Sequence, residues 1–292
     1  MKKSVSLILC LLLVLSLSVP AFADTVQSRT VIGADLNEAQ IAAMYSQFGI
    51  RRGQVVELKV TNEEERKYLD GVVDRSLIGT RAISCVFVEL LPQGRGITVT
   101  TKNINWCTAK MYANALATAG ITDARIVVAA PFAVSGTAAL TGIYKAYEHV
   151  TGTRVAETTK LASMKELAIT GSLAQSIGDA DSLSIVGELK QMLDQTRNMS
   201  DAELRATILE IAGKYQVSLT DAQIGQLVSL CRTLESLDPD QIRQRVAQAQ
   251  EALQKLSETK TKIAGFLENF KSFLDSINSF FDSVREMMAR FS

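Results

Sequence analysis

The sequence predicts an α+β protein: a mixed α/β sheet domain at 24–152, a helical region at 153–238, and a long amphipathic, coiled-coil-like C-terminal helix at 239–292. Three observations predict it. Short β-branched runs alternate with helix-capping signatures up to about residue 152; strand signals cease beyond about 155; and from Ile242 onward apolar side chains return every seven positions.

The chain opens on Met1-Lys2-Lys3, followed by an almost unbroken apolar run from Leu7 to Val19 that Pro20 ends. Ala21-Phe22-Ala23 then places small residues at the −3 and −1 positions of a cleavage site before Asp24. That pattern predicts a signal peptide over 1–23, and hence a mature protein that is secreted, extracellular or held at the cell envelope. The run falls short of the ~20 apolar residues that a membrane span needs. Cys10 lies mid-run behind Leu9, which does not suit a lipoprotein site.

Within 24–152, Arg29 to Ile32 reads as a strand ended by Gly33. Asn37 and Gln40 then form a capping box, with Leu36 and Ile41 as its hydrophobic staple. Gln54 to Val60 is the next strand, and Thr61-Asn62-Glu63-Glu64-Glu65 crowds carboxylates at a helix start, where the macrodipole favours them. Ala82 to Leu91 carries the strongest strand signal, and the turn Pro92-Gln93-Gly94-Arg95-Gly96 predicts a hairpin with Ile97 to Thr101. A helix over about 108–119 stops at Gly120, suited to a left-handed C′ position. Ile126 to Ala130 is apolar on both faces, the mark of a buried strand, and Pro131 is expected to end it. A helix over about 135–150 then closes at Gly152. Alternating strands and helices with one hairpin predict a mixed sheet.

In the helical region, Ser200 with Glu203 and Thr220 with Gln223 are further capping boxes, and Leu219 with Ile224 is a second staple. Asp238-Pro239 opens the last helix, with Asp as cap and Pro at the first helical position. Ile242, Ala249, Leu256, Ile263, Phe270, Ile277, Val284 and Phe291 then recur every seven residues. Uninterrupted, such a helix has about 50 residues and runs about 75 Å. A strict seven-residue repeat implies a left-handed supercoil against a partner. The partner is the protein's own helices, another copy of itself or another envelope protein, or a membrane surface. The last would be weak, because Lys260, Lys262, Lys271, Arg285 and Arg290 alternate with Glu268, Asp275, Asp282 and Glu286.

The chain has 31 basic and 31 acidic residues, and losing Lys2 and Lys3 with the leader takes its formal charge from 0 to −2. That balance argues against nucleic acid as a partner. Three cysteines remain after the leader. An odd count leaves at least one thiol unpaired or paired between molecules; Cys85, beside Ile83 and Phe87 in a strand, and Cys107, at the start of a helix, could meet in a disulfide, and Cys231 reads as a buried thiol among Val228, Leu230 and Leu234.

Four runs carry a family resemblance: Gly33-Ala34-Asp35-Leu36; Ile78 to Ser84; Met111-Tyr112 with Asn114-Ala115-Leu116; and above all Ala130 to Gly142. Through them the chain resembles the YpuA-like secreted proteins of Gram-positive bacteria, a domain of unknown function (domain 1002). The resemblance implies a secreted or envelope-associated protein, and brings no assigned activity and no catalytic residues.

The candidate ligand-binding residues are Ser135, Gly136 and Thr137, which follow a buried strand and open a helix, together with Arg81. Free N–H groups at a helix start hold anions. The competing reading makes Ser135 a helix cap, and Arg81 a structural partner of Glu57 or Asp123. The run is neither a P-loop nor a nucleophile elbow. The one histidine, His149, lies about 20 Å along the same helix from Ser135, beyond reach as its base. No catalytic residue, metal ligand or cofactor is expected. Glu63, Glu64 and Glu65 read as a solvated cap, and Phe132, Tyr144 and Tyr147 as core or groove-lining aromatics. The function these features favour is a non-enzymatic binding or scaffolding protein with an associating tail. The alternatives are a hydrolase using Ser135 or a membrane-surface binder acting through 263–291.

Overall fold

A computed structural model describes residues 27–72 and 75–248. The predicted leader and the seven-residue stripe beyond Gln248 lie outside them.

Five strands form one mixed sheet: β1 (Ser28–Gly33), β2 (Val56–Val60), β3 (Cys85–Leu90), β4 (Ile97–Ile104) and β5 (Ala124–Val134), in the order β2-β1-β3-β5-β4. β1 runs parallel to β2 and antiparallel to β3, β3 antiparallel to β5, and β4 parallel to β5. The predicted hairpin is therefore corrected: β5 lies between β3 and β4. Strand β5 is apolar on both sides and needs neighbours and cover all round, whereas β4 carries Thr98, Thr100 and Lys102 on one side and suits an edge. Nor does Pro131 end β5, which continues to Val134. The ladder shifts register between Lys102 and Ile104, where Asn103 adopts φ 58° and its amide donates to Ala130 O at 2.8 Å. A bulge of this kind accommodates a residue with no N–H to give.

Side chains alternate across the sheet. Val31, Val86, Val88, Ile126 and Val128 join one core, under α2 (Asn62–Leu69), α4 (Ala109–Thr118), α5 (Thr137–Thr151) and α6 (Glu157–Ile177). Ile32, Cys85, Phe87, Val127 and Ala129 join the other, under α1 (Glu38–Phe48). A short helix, α3 (Arg75–Ile78), precedes β3. The capping boxes at Asn37, Thr61, Ser200 and Thr220 all form, and Leu36 with Ile41 and Leu219 with Ile224 meet in their cores.

Helices α7 (Asp179–Gln191), α8 (Leu193–Thr196), α9 (Asp201–Lys214) and α10 (Asp221–Leu234) build a third core with α6. Residues 239–248 are helical, Asp238 accepts from the Asp240 and Gln241 N–H groups as a cap, and Ile242 and Val246 are buried in that core. The first position of the apolar stripe, Ile242, and Val246 one turn on are thus covered by the protein's own helices.

Cys85, Cys107 and Cys231 are free and buried. Cys85 and Cys107 belong to cores on opposite faces of the sheet, so the two thiols considered as a pair stand apart. Burial pushes each thiol up to about 12, the range of inert cysteines. Among the described residues no helix is long and apolar enough to cross a membrane, and no cluster of acidic, cysteine or histidine side chains is arranged to hold a metal.

Candidate functional site

A cleft of about 530 Å³ opens where β5 hands over to α5. Its walls come from α3 and the loop after it (Ser76 to Arg81, Ile83, Ser84), from the end of β4 (Asn105, Trp106), from Phe132 to Ser135, from Thr137 and Ala138 of α5, from Glu65 of α2 and from Gln175 of α6. Two of the runs that carry the family resemblance, Ile78 to Ser84 and Ala130 to Gly142, supply most of this lining.

Close approach sets the walls. The loop bearing Arg81 passes so near β1 that a Cβ on Gly33 would lie 2.3 Å from Ala82 O, and the Asp35 carboxylate accepts from Ala82 N at 2.7 Å. Arg66 holds the same loop by donating to Gly79 O at 2.5 Å. On the far wall Gly136 has φ 94°, and an added Cβ would meet the Tyr112 hydroxyl at 2.5 Å and Ile104 Cγ2 at 2.6 Å. Only glycine fits there.

Three of the four residues singled out from sequence, Ser135, Thr137 and Arg81, line this cleft, and Gly136 sits behind its wall between the first two. Ser135 is not the cap of α5: the cap position belongs to Gly136, one residue later, and no side chain bonds there. Ser135 Oγ turns instead to Leu77 O, donating at 2.7 Å, and lies 3.2 Å from Thr137 Oγ1. The N-terminus of a 15-residue helix therefore borders the cleft without a side-chain cap; the Ala139 N–H turns back to Gly136 O at 3.0 Å, and those of Thr137 and Ala138 come before any intrahelical acceptor. Arg81, expected within the strong strand, lies instead in the bend before β3, exposed in the cleft lining. Neither expected partner is its own: Glu57 bonds Arg52 and Tyr45, and Asp123 bonds Gly96 N. His149 accepts from Arg29 Nε at 2.9 Å and takes no part in the cleft.

Two further residues escaped the sequence reading. Glu65, expected in a solvated cap, is 1% exposed. One carboxylate oxygen accepts from the Asn62 amide at 3.3 Å, and the other, Oε1, has no hydrogen-bond partner among the described residues. Burial pushes this carboxyl up to about 7, against the smaller opposing effects of the nearby Thr137 hydroxyl, the Asn62 amide and the Arg66 charge. It therefore holds a proton much of the time near neutrality. Trp106 is also buried, and its indole Nε1 likewise lacks a partner among the described residues. An unpaired buried polar group costs about 1–3 kcal/mol, so two of them in one cleft are a considerable local expense. A Cβ on Gly171 of α6 would stand 2.6 Å from the indole ring, so a glycine there seats the tryptophan. Phe132, 43% exposed, adds an apolar lip. Tyr144 is core, its hydroxyl 2.5 Å from Ser163 Oγ, and Tyr147 packs half-buried beside the same core.

A second depression of about 350 Å³ lies between α2, α5 and α6, but Lys145, Lys160 and Lys67 there are bonded to Glu64, Glu148 and Glu157 at 2.6, 2.7 and 2.6 Å. Its ammonium groups are already engaged. Thr141 Oγ1 there has no partner among the described residues, and neither have Glu65 Oε1 and Trp106 Nε1 of the residues that line the first cleft.

Two comparisons relate the chain to known proteins. A family model described as "Protein of unknown function (DUF1002)" matches residues 32–252. The "Uncharacterized protein YpuA" of Bacillus subtilis (strain 168) is 34% identical over 253 residues, which cover 84% of this chain and 87% of the relative. No solved structure matches.

Proposed function

Because the chain belongs to the DUF1002 family, to which no activity is assigned, we propose its function from its cleft: a non-catalytic, exported binding protein that receives a small ligand at the start of α5. The observation that carries this is a helix start without a side-chain cap, bordering a cleft of about 530 Å³ lined by Arg81, Ser135 and Thr137. Export rests on the leader sequence alone. Catalysis through Ser135 finds no support, since its hydroxyl is directed at Leu77 O and the one histidine bonds Arg29.

Thr80 is exposed at the cleft, and Thr80→Phe would fill the mouth without touching a core. Ligand-observed NMR against a small-molecule library should find compounds that bind the native protein and not this variant. Absence of hits, or hits indifferent to Thr80→Phe, would refute the binding role. The compartment is tested by the N-terminus of protein recovered from its host: a chain beginning at Asp24 and found outside the cytoplasm is expected.

The scaffolding part of the proposal belongs to the tail, supported by the seven-residue apolar register from Ile242. A chain ending at Gln248 keeps Ile242 and Val246 in their core. It should lose self-association or envelope retention, and retention of both would remove the tail's role.

A further inference from the structure

Strands β3 and β5 lie side by side and antiparallel, and their ladder stops at the Cys85–Ala129 pair. Strand β5 runs on to Val134, while the chain just before Cys85 is in no strand. Both continuations line the cleft: Arg81, Ile83 and Ser84 on one side, Phe132, Ala133 and Val134 on the other. The cleft is the fork where two central strands part.

Local chemistry holds the fork open. In a continued ladder Ile83 would face Pro131, which has no N–H to give. Ala82 is tied on the opposite side, its N–H and C=O both bonded to Asp35, at 2.7 and 3.3 Å. At Thr80 and Arg81 the chain bends, and Arg66 fixes Gly79 O. No main-chain hydrogen bond joins Arg81 or Ile83 to β5 among the described residues. The register with β4 passes from Lys102 opposite Ala129 to Ile104 opposite Val134, so Ala130 to Ala133 have no partner residue on that strand either.

Alternation along a strand sets where its main-chain groups point. Leu91 N donates to Asp123 O at 3.0 Å just past the far end of the β3–β5 ladder, so odd-numbered residues of β5 turn toward β3. The even carbonyls turn the other way: Ala130 O accepts from Asn103 Nδ2 at 2.8 Å and Val134 O from Asn105 N at 3.0 Å. Pro131 O and the N–H and C=O of Ala133 are thereby directed into the lane that β3 leaves, and Ala133 is exposed there.

We propose, resting on the binding role above, that the cleft takes a short extended peptide as an added strand along this edge of β5. One peptide residue exchanges both main-chain hydrogen bonds with Ala133, and the residue two away donates its N–H to Pro131 O. The residue between them lies beside Phe132 and carries an apolar side chain. From Pro131 to Ser135 the lane runs ~13 Å at about 3.3 Å per residue, the length of about four residues. Donors and acceptors spaced at the period of a strand recognise a polypeptide backbone, and the side chain beside Phe132 adds selectivity.

The full-length protein would be screened by ligand-observed NMR against N-acetylated, C-amidated tetrapeptides, whose blocked ends leave backbone and side chains to bind. A hit should lose at least tenfold in affinity when the N–H facing Ala133 or Pro131 is methylated, and keep its affinity when the N–H between them is. A walk of N-methyl groups along the peptide should therefore alternate between loss and retention. Ala133→Pro, which removes the N–H that β5 supplies, should weaken the hit at least tenfold with an unchanged thermal midpoint. In ¹⁵N-labelled native protein the Ala133 amide should exchange with solvent at least tenfold more slowly once the peptide is bound, a reading that needs no variant. Loss at every methylated position or at none would overturn the inference, as would an Ala133 amide whose exchange the peptide leaves unchanged. Small-molecule hits that Thr80→Phe abolishes, with no tetrapeptide bound, would overturn the peptide reading and leave the binding role standing. Should no compound of either kind bind, both fail together.

Discussion

Glu65 is the residue whose environment departs furthest from its chemistry. Its folded carboxyl titrates near 7 and an unfolded glutamate near 4.5, so the native state binds the proton more tightly. The stability that Glu65 contributes is then fully present below about pH 4.5 and lost as pH rises through about 7, since the unfolded chain gains the ionisation that burial resists. At about 1.4 kcal/mol per tenfold in proton affinity, the loss is roughly 3 kcal/mol. Urea midpoints measured from pH 5 to 8 should show that decline, and Glu65→Gln should flatten it; equal slopes in both proteins would contradict the burial argument. Gly136 offers a second test at this scale. With φ 94° and Tyr112 and Ile104 against it, Gly136→Ala should cost upwards of about 1 kcal/mol in thermal unfolding, and a neutral result would mean the wall has room. Glu65 was partly legible. It stands three and four residues before Tyr68 and Leu69, on the face of α2 that goes inside, and the run of three glutamates obscured that periodicity. Trp106 gave no local signal, because what matters about it is an indole nitrogen without a partner, and partners come from elsewhere in the chain.

Among the elements, α5 and the sheet edge show where local rules stop. Capping boxes are written within four residues, so those at Asn37, Ser200 and Thr220 could be read directly, while the one at Thr61 was read only as a helix start crowded with carboxylates. The start of α5 departs from that pattern: its serine sits one position before the cap and bonds another helix, leaving the N-terminus to the cleft. The order of β3, β5 and β4 was not legible, because a five-residue turn is compatible with a hairpin and with a step over one strand. Long-range burial of β5 decided between them. Helices α4, α6 and α7 are joined by the buried pair Lys190 and Glu166, 2.8 Å apart and 1% and 2% exposed, with Thr118 donating to the second Glu166 oxygen at 2.5 Å. Removing one charge strands the other, so Lys190→Met should destabilise by about 3–5 kcal/mol. Adding Glu166→Gln should recover much of that in denaturant titrations. A single variant costing under about 1 kcal/mol would show that the pair is not needed to hold these layers.

For the molecule as a whole, α6 is the shared member. Met164, Leu167 and Ala168 pack under the sheet, while Ala162, Ile169 and Leu173 pack among the C-terminal helices. A helix cannot leave one core and remain in the other at little cost, so residues 27–248 should unfold as one cooperative unit. Fluorescence of Trp106, seated in the cleft, and far-ultraviolet dichroism, dominated by the helices, should give coincident transitions. Two separated midpoints would divide the molecule at the loop between α5 and α6.

The sequence by itself determined the five strands and the capped helices, the mixed α+β class, the family and the strip of chain on which the candidate site lies, since these follow from periodicity, caps and motifs read over a few residues. Only the tertiary structure decided the strand order, the fate of the cysteines, the open start of α5 and the company that Glu65 and Trp106 keep. Those depend on which distant groups supply or withhold burial and hydrogen bonds, and a hydrogen-bond partner a hundred residues away leaves no mark on the local pattern.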